Sequence, residues 1–139
     1  RQFEVTDRPI IDSPEAAVRE LAFIRNKKQE YFVCLTLEGA NRLIAKRVIT
    51  IGTLTASLVH PREVFADAIT DRAACIVVAH NHPSGDPTPS KSDLQLTRVL
   101  IEAGRVMSIG FDDHLIVCRD RFVSLRDAGY FPIPTTSRY

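Results

Sequence analysis

The chain has no tryptophan, a single methionine and only three cysteines among its 139 residues. Cys34, Cys75 and Cys118 are odd in number and far apart, and each lies in an apolar run, so neither a disulfide framework nor a cysteine-ligated structural metal organises this sequence. They read as buried, reduced thiols, which fits a cytoplasmic setting. Long hydrophobic runs are missing as well. None approaches the roughly 20 apolar residues of a membrane helix, and no signal-peptide pattern opens the chain, so a soluble protein is expected. Nor is there a surplus of either charge: 18 Lys and Arg stand against 17 Asp and Glu, interspersed, for a net charge of +1. That balance gives no electrostatic case for direct nucleic-acid binding, and Lys27-Lys28 is too short a basic run to supply one.

What the chain does have is a hydrophobic fraction of 45%, enough for one packed core. The reading is a single domain over residues 1–129, followed by a Pro-, Thr- and Ser-rich tail over 130–139 without periodicity, expected to be poorly ordered. Residues up to Ile11 look irregular. Ser13 caps a helix with Pro14 at its first position, running to about Lys28 with Ala17, Val18, Leu21 and Ile24 inward. Tyr31–Leu37 is a central strand and Arg42–Ile51 its hairpin partner across the turn at 38–41, stopped by Gly52. Residues 53–59 read as a short strand or loop. Pro61 opens a helix with Val64, Phe65, Ala68 and Ile69 inward. Ala74–Ala79 is a buried strand, and Leu94–Ala103 a helix stopped by Gly104. Val106–Ile109, His114–Val117 and Phe122–Leu125 read as further strands. The fold class expected is α/β, a curved mixed sheet with a helix on either side.

The chemistry gathers between the buried strand and the helix after it. His80 and His82 follow the strand two residues apart, so in extended chain both imidazoles point the same way while Asn81 points the other. Pro83, Pro87 and Pro89 stiffen the loop, and Ser90 caps the next helix. Asp93 lies three and seven residues before Leu96 and Leu100, on the same inward stripe, so it faces the strand end. Two histidines, one aspartate and an open position are what zinc uses when it must also hold a water; manganese or iron could take the same ligands. The competing reading of Ser90 and Asp93 is a capping box.

The pattern His80-x-His82, seven residues, Ser90, two residues, Asp93 resembles the JAMM motif of the JAB1/MPN metalloproteases. The words His80-Asn81-His82-Pro83-Ser84-Gly85-Asp86-Pro87 and the later Asp113-His114 are similar, more narrowly, to the RadC family, and that resemblance covers nearly the whole chain. It implies a JAB1/MPN (cytidine-deaminase-like) architecture, a zinc ion held by His80, His82 and Asp93, and an oxyanion-stabilising role for Ser90. RadC relatives carry a small helical domain ahead of this one, and the chain, opening at Arg1 without methionine, reads as an excerpt.

Water on zinc needs a group to take its proton and pass it to the leaving nitrogen. In JAMM proteases a glutamate just ahead of a central strand does this, and Glu30 matches by position. Glu63, in the first turn of the helix before the ligand strand, competes, although the helix dipole alone favours an acid there. His114 reads as a structural hydrogen-bonding residue or a fourth ligand, and Asp113 as a residue that could orient a ligand. Nothing is assigned to Asp86, and Glu38 and Glu102 read as surface residues.

Three functions compete. The leading one is a zinc-dependent hydrolase, a metallopeptidase or isopeptidase cleaving an amide bond. A nucleotide deaminase needs His-x-Glu and Pro-Cys-x-x-Cys, and the chain has neither. A DNA-repair or recombination accessory domain with a non-catalytic metal site is the alternative that the RadC resemblance keeps open.

Overall fold

A computed structural model describes residues 7–52 and 59–131. Its elements run α1 (Pro14–Arg19), α2 (Ala22–Arg25), β1 (Tyr31–Leu37), β2 (Leu43–Ile51), α3 (Pro61–Thr70), β3 (Cys75–Asn81), α4 (Lys91–Met107), β4 (Gly110–Val117) and β5 (Phe122–Ser124). The strands form one mixed sheet in the order β2-β1-β3-β4-β5, with β3 and β4 parallel and every other pair antiparallel. Helices flank it on both sides, as expected.

Side-chain alternation sorts the core into two faces. On one, Val33, Leu35, Val77 and Ala79 pack with Leu21 and Ile24 of the α1–α2 segment. On the other, Phe32, Cys34, Ile76 and Val78 pack with Phe65 of α3 and Leu96 and Leu100 of α4. The three central strands are buried along almost their whole length, which explains their near-continuous apolar runs. All three cysteines are buried and none is in a disulfide, and burial pushes the Cys34 and Cys118 thiols up.

Several boundaries differ from the sequence expectation, each for a local reason. The helix read over Ser13–Lys28 is two short helices, because Glu20 and Leu21 close i→i−3 hydrogen bonds onto Ala17 and Val18 and interrupt the α pitch. Both halves still bury the predicted residues. Residues Pro9–Ile11 are not irregular: Ile10 bridges Arg42, and Pro9 and Ile11 bond to Leu43 and Asn41. Ile69 is 53% exposed, since it is turned about 100° from Ala68 around α3. The short strand or loop read over 53–59 lies outside the described residues apart from Val59, which is buried. The tail over 132–139 lies outside them too, whereas Phe131 packs on Phe111 at 5.7 Å between rings.

The largest difference is at Gly104, which does not stop α4. The helix runs through it to Met107, takes in half of the strand read over Val106–Ile109, and ends at Ser108 in the left-handed conformation with φ 58°. Glycine is there for close approach: a Cβ would stand 2.6 Å from the Ile109 carbonyl oxygen and 3.5 Å from Phe65. Alanine improves helix propensity by about 1 kcal/mol. Forcing a backbone carbonyl aside in a packed core costs about 1–3 kcal/mol. Gly104→Ala is therefore expected to lower the urea midpoint of unfolding, and an unchanged or raised midpoint would contradict the tight approach.

Candidate metal centre

β3 carries its histidines to the end of the sheet. His80 and Asn81 are its last residues, and His82 continues the line by donating its backbone N–H to the Val117 carbonyl of β4 at 3.0 Å. By alternation His80 lies on the α4 face with Ile76 and Val78. The His80 ring is 1% exposed and stacks on Phe32 at 6.2 Å. Its Nε2 lies 3.0 Å from Nε2 of His82. The other nitrogen of His82, Nδ1, is 2.9 Å from the Asp86 carbonyl oxygen; a carbonyl only accepts, so His82 donates there and turns its second nitrogen to His80. Asp86, to which the sequence reading assigned nothing, thus orients His82 through its backbone.

Asp93 meets this pair from α4. Its Oδ1 is 3.2 Å from His80 Nε2 and its Oδ2 is 3.3 Å from His82 Nε2. The capping box is present as well: Ser90 Oγ accepts from the Asp93 N–H at 3.1 Å, and Asp93 Oδ2 accepts from the Ser90 N–H at 2.8 Å. The two readings of Ser90-x-x-Asp93 are one arrangement, in which the cap locks the carboxylate toward the histidines. Burial opposes charge on Asp93, but the histidines facing it hold its carboxyl well below the usual carboxylate range. The same carboxylate raises His82, against the effect of burial.

Glu30 precedes β1. Extending the antiparallel register Phe32↔His80 by two residues sets Glu30 across from His82. Donor atoms of Glu30, His80 and His82 lie within 4.8 Å of one another, so these three could hold a metal ion. Asn81, pointing to the opposite face, keeps the Glu30 segment in place. Its side chain accepts from the Tyr31 N–H at 2.6 Å and donates to the carbonyls of Gln29 and Lys27 at 2.9 and 3.4 Å. The Gly52 N–H holds the Glu30 carbonyl at 2.9 Å. Each residue of His80-Asn81-His82 therefore serves the site, two directly and one from behind.

The other candidates are placed elsewhere. Glu63 is exposed in the first turn of α3, near Arg62, outside this group. His114 is fully buried, with Nε2 2.9 Å from His80 Nδ1 and Nδ1 2.6 Å from Thr97 Oγ1, so both ring nitrogens have protein partners. Burial lowers it well below the ordinary histidine value. Asp113 does not orient a site ring; its carboxylate accepts from Ser124 Oγ and the backbone of His114 and Arg126. Sequence reasoning passes over Thr97. The signal for it is a hydroxyl one turn after Asp93 on an otherwise apolar stripe.

Comparison with known proteins supplies a family. The family description RadC-like JAB domain matches residues 11–130. A UPF0758 protein of Methanospirillum hungatei is 53% identical over 113 residues, 81% of this chain and 50% of the relative. The UPF0758 protein of Geobacillus sp. strain WCH70 is 48% identical over 124 residues, covering 88% of this chain and 55% of the relative. UPF0758 protein YsxA of Bacillus subtilis is 48% identical over 122 residues, 87% and 53% of the two chains. The chain spans about half the length of the curated relatives it matches. With the fold, the converging histidines and carboxylates, and these matches all in agreement, the chain belongs to the RadC-like JAB domain family.

Proposed function

We propose that this chain is a metal-dependent hydrolase of the JAMM type, a metallopeptidase or isopeptidase, with zinc held by His80, His82 and Asp93. The observation that carries the reading is the meeting of two imidazole nitrogens 3.0 Å apart with both oxygens of one carboxylate at 3.2 and 3.3 Å. Two imidazoles and a carboxylate this close are held together by shared protons or, in their place, by a metal cation. Nitrogen and oxygen donors suit zinc, and a protein ligand set short of four suits a catalytic site.

Zinc bound there supplies Lewis acidity, polarising a carbonyl and making water easier to deprotonate. Glu30 takes the proton of the attacking water and returns it to the leaving nitrogen. The Ser90 hydroxyl oxygen accepts from the Asp93 N–H, which leaves its own hydrogen to donate to the carbonyl oxygen as that atom becomes negative. Asn81 and Gly52 hold the backbone around Glu30, so the base need not be ordered anew at each turnover. The substrate proposed is a peptide or isopeptide amide. Three buried cysteines outside any disulfide suit the reducing cytoplasm as its place of work. None of the helices in the described residues is long and apolar enough to cross a membrane.

Purified chain is expected to carry one zinc, lost in His80→Ala and in Asp93→Ala, with elemental analysis as the readout. Undiminished zinc in either variant removes that residue from the ligand set. A peptide and isopeptide library then tests turnover. Zinc without any cleavage moves the DNA-repair accessory reading to first place.

Glu30→Gln should keep the metal and lose rate by ~10²–10⁴-fold, because glutamine keeps the shape but cannot carry the proton. Glu63→Gln should leave turnover unchanged. A dead Glu63→Gln beside a working Glu30→Gln would transfer the base to α3, and loss of zinc from Glu30→Gln would make Glu30 a ligand instead.

A further inference from the structure

The hydrogen-bonded line that reaches His80 from behind has a fixed direction, which follows from its far end. Thr97 Oγ1 lies 2.7 Å from the backbone carbonyl oxygen of Asp93, one turn earlier in α4. A carbonyl only accepts, so the Thr97 hydroxyl hydrogen is committed to it. The same hydroxyl oxygen is 2.6 Å from His114 Nδ1. With its hydrogen in use, Thr97 can only accept there, and His114 Nδ1 must carry a hydrogen.

The His114 ring is fully buried, edge-on to Phe32, and its hydrogen-bond partners are Thr97 and His80 rather than a carboxylate. An unpaired charge in that position is costly, so the ring is neutral and its Nε2 is bare. His80 Nδ1 stands 2.9 Å from this bare nitrogen and has to donate to it. The hydrogen of a neutral His80 is then on Nδ1. Its Nε2, which faces His82 and Asp93, is then the nitrogen open to a metal or, in metal-free protein, to a proton shared with the Asp93 carboxylate 3.2 Å away.

We propose that Thr97 and His114 are positioning residues that set the tautomer of His80, through a one-way line of hydrogen bonds anchored on the Asp93 carbonyl. This rests on the reading of His80 as a metal ligand. The usual partner behind a ligating histidine is a carboxylate, a backbone carbonyl or water. Here it is a second histidine, which by itself could face either way, and the threonine removes that freedom. The line also ties the His80 ring to the backbone of Asp93, so strand and helix present their ligands as one unit. Its register is set by the parallel β3–β4 pairing, in which His114 lies beside Val78 on the α4 face.

Two measurements test this. Metal-free protein labelled with nitrogen-15 in histidine is observed by long-range proton–nitrogen correlation at a pH above the ordinary histidine pKa of about 6.5. His80 Nδ1 is expected to carry a hydrogen, and a bare Nδ1 with the hydrogen on Nε2 alone, or an even mixture of the two neutral forms, would overturn the proposal, whatever the variants do. Zinc affinity is then measured by competition with a chelating dye. Thr97→Val, close in shape but without the hydroxyl, should bind zinc about 10–100-fold more weakly, and Thr97→Ser should restore binding close to that of the unaltered chain. A purely structural threonine would lower the melting temperature of metal-free Thr97→Val with no change in zinc affinity, which would overturn the line alone. Absence of zinc binding from the unaltered chain would overturn the metal reading, and this proposal with it.

Discussion

Two imidazole nitrogens and a carboxylate are forced together at about hydrogen-bond distance at the open end of a buried strand, and most of the fold serves that crowding. Donors converge in this way only where the surroundings hold each of them in place. His80 cannot swing away, because Phe32 stacks on its ring and His114 occupies its other nitrogen. His82 is held by the Asp86 carbonyl, and Asp93 by its own capping box. A cation entering such a site meets donors whose ordering cost was met during folding, which is the physical content of preorganisation.

The sheet makes this possible by separating its two faces. Alternation along β3 sends His80 toward α4 and Asn81 toward α1–α2. One strand end can therefore present a ligand on one side and fasten the Glu30 segment from the other. Arginines tie the remaining loop: Arg121 donates to the Gly85 carbonyl, and Arg25 to the carbonyls of Cys118 and Arg121. The proline-containing stretch after His82 is thereby linked to the β4–β5 turn. Gly104 lets α4 pass close under the Ile109 carbonyl, which sets the helix that carries Asp93.

Local pattern was enough for much of this. The spacing of His80 and His82, the inward stripe shared by Asp93, Leu96 and Leu100, and the apolar runs of β1 and β3 all follow from the periods of strand and helix. Local pattern failed where a distant contact decided the outcome. Gly104 looks like a helix stop until the approach of Ile109 is known. The break at Glu20 leaves the buried stripe intact, so periodicity does not register it. Ile69 is apolar and sits next to the buried Ala68, yet it is more than half exposed. His114 and Thr97 meet behind His80 only because β4 pairs parallel to β3, and no spacing in the chain encodes that pairing.

X-ray absorption at the zinc edge, on protein reconstituted with one equivalent of the metal, reads the donor set without reference to activity. Two histidine nitrogens at about 2.0–2.1 Å, with the remaining ligands oxygen and no sulfur, is the spectrum expected from His80, His82 and Asp93. A sulfur shell near 2.3 Å, or fewer than two imidazoles, would contradict the placement of the metal at the end of β3.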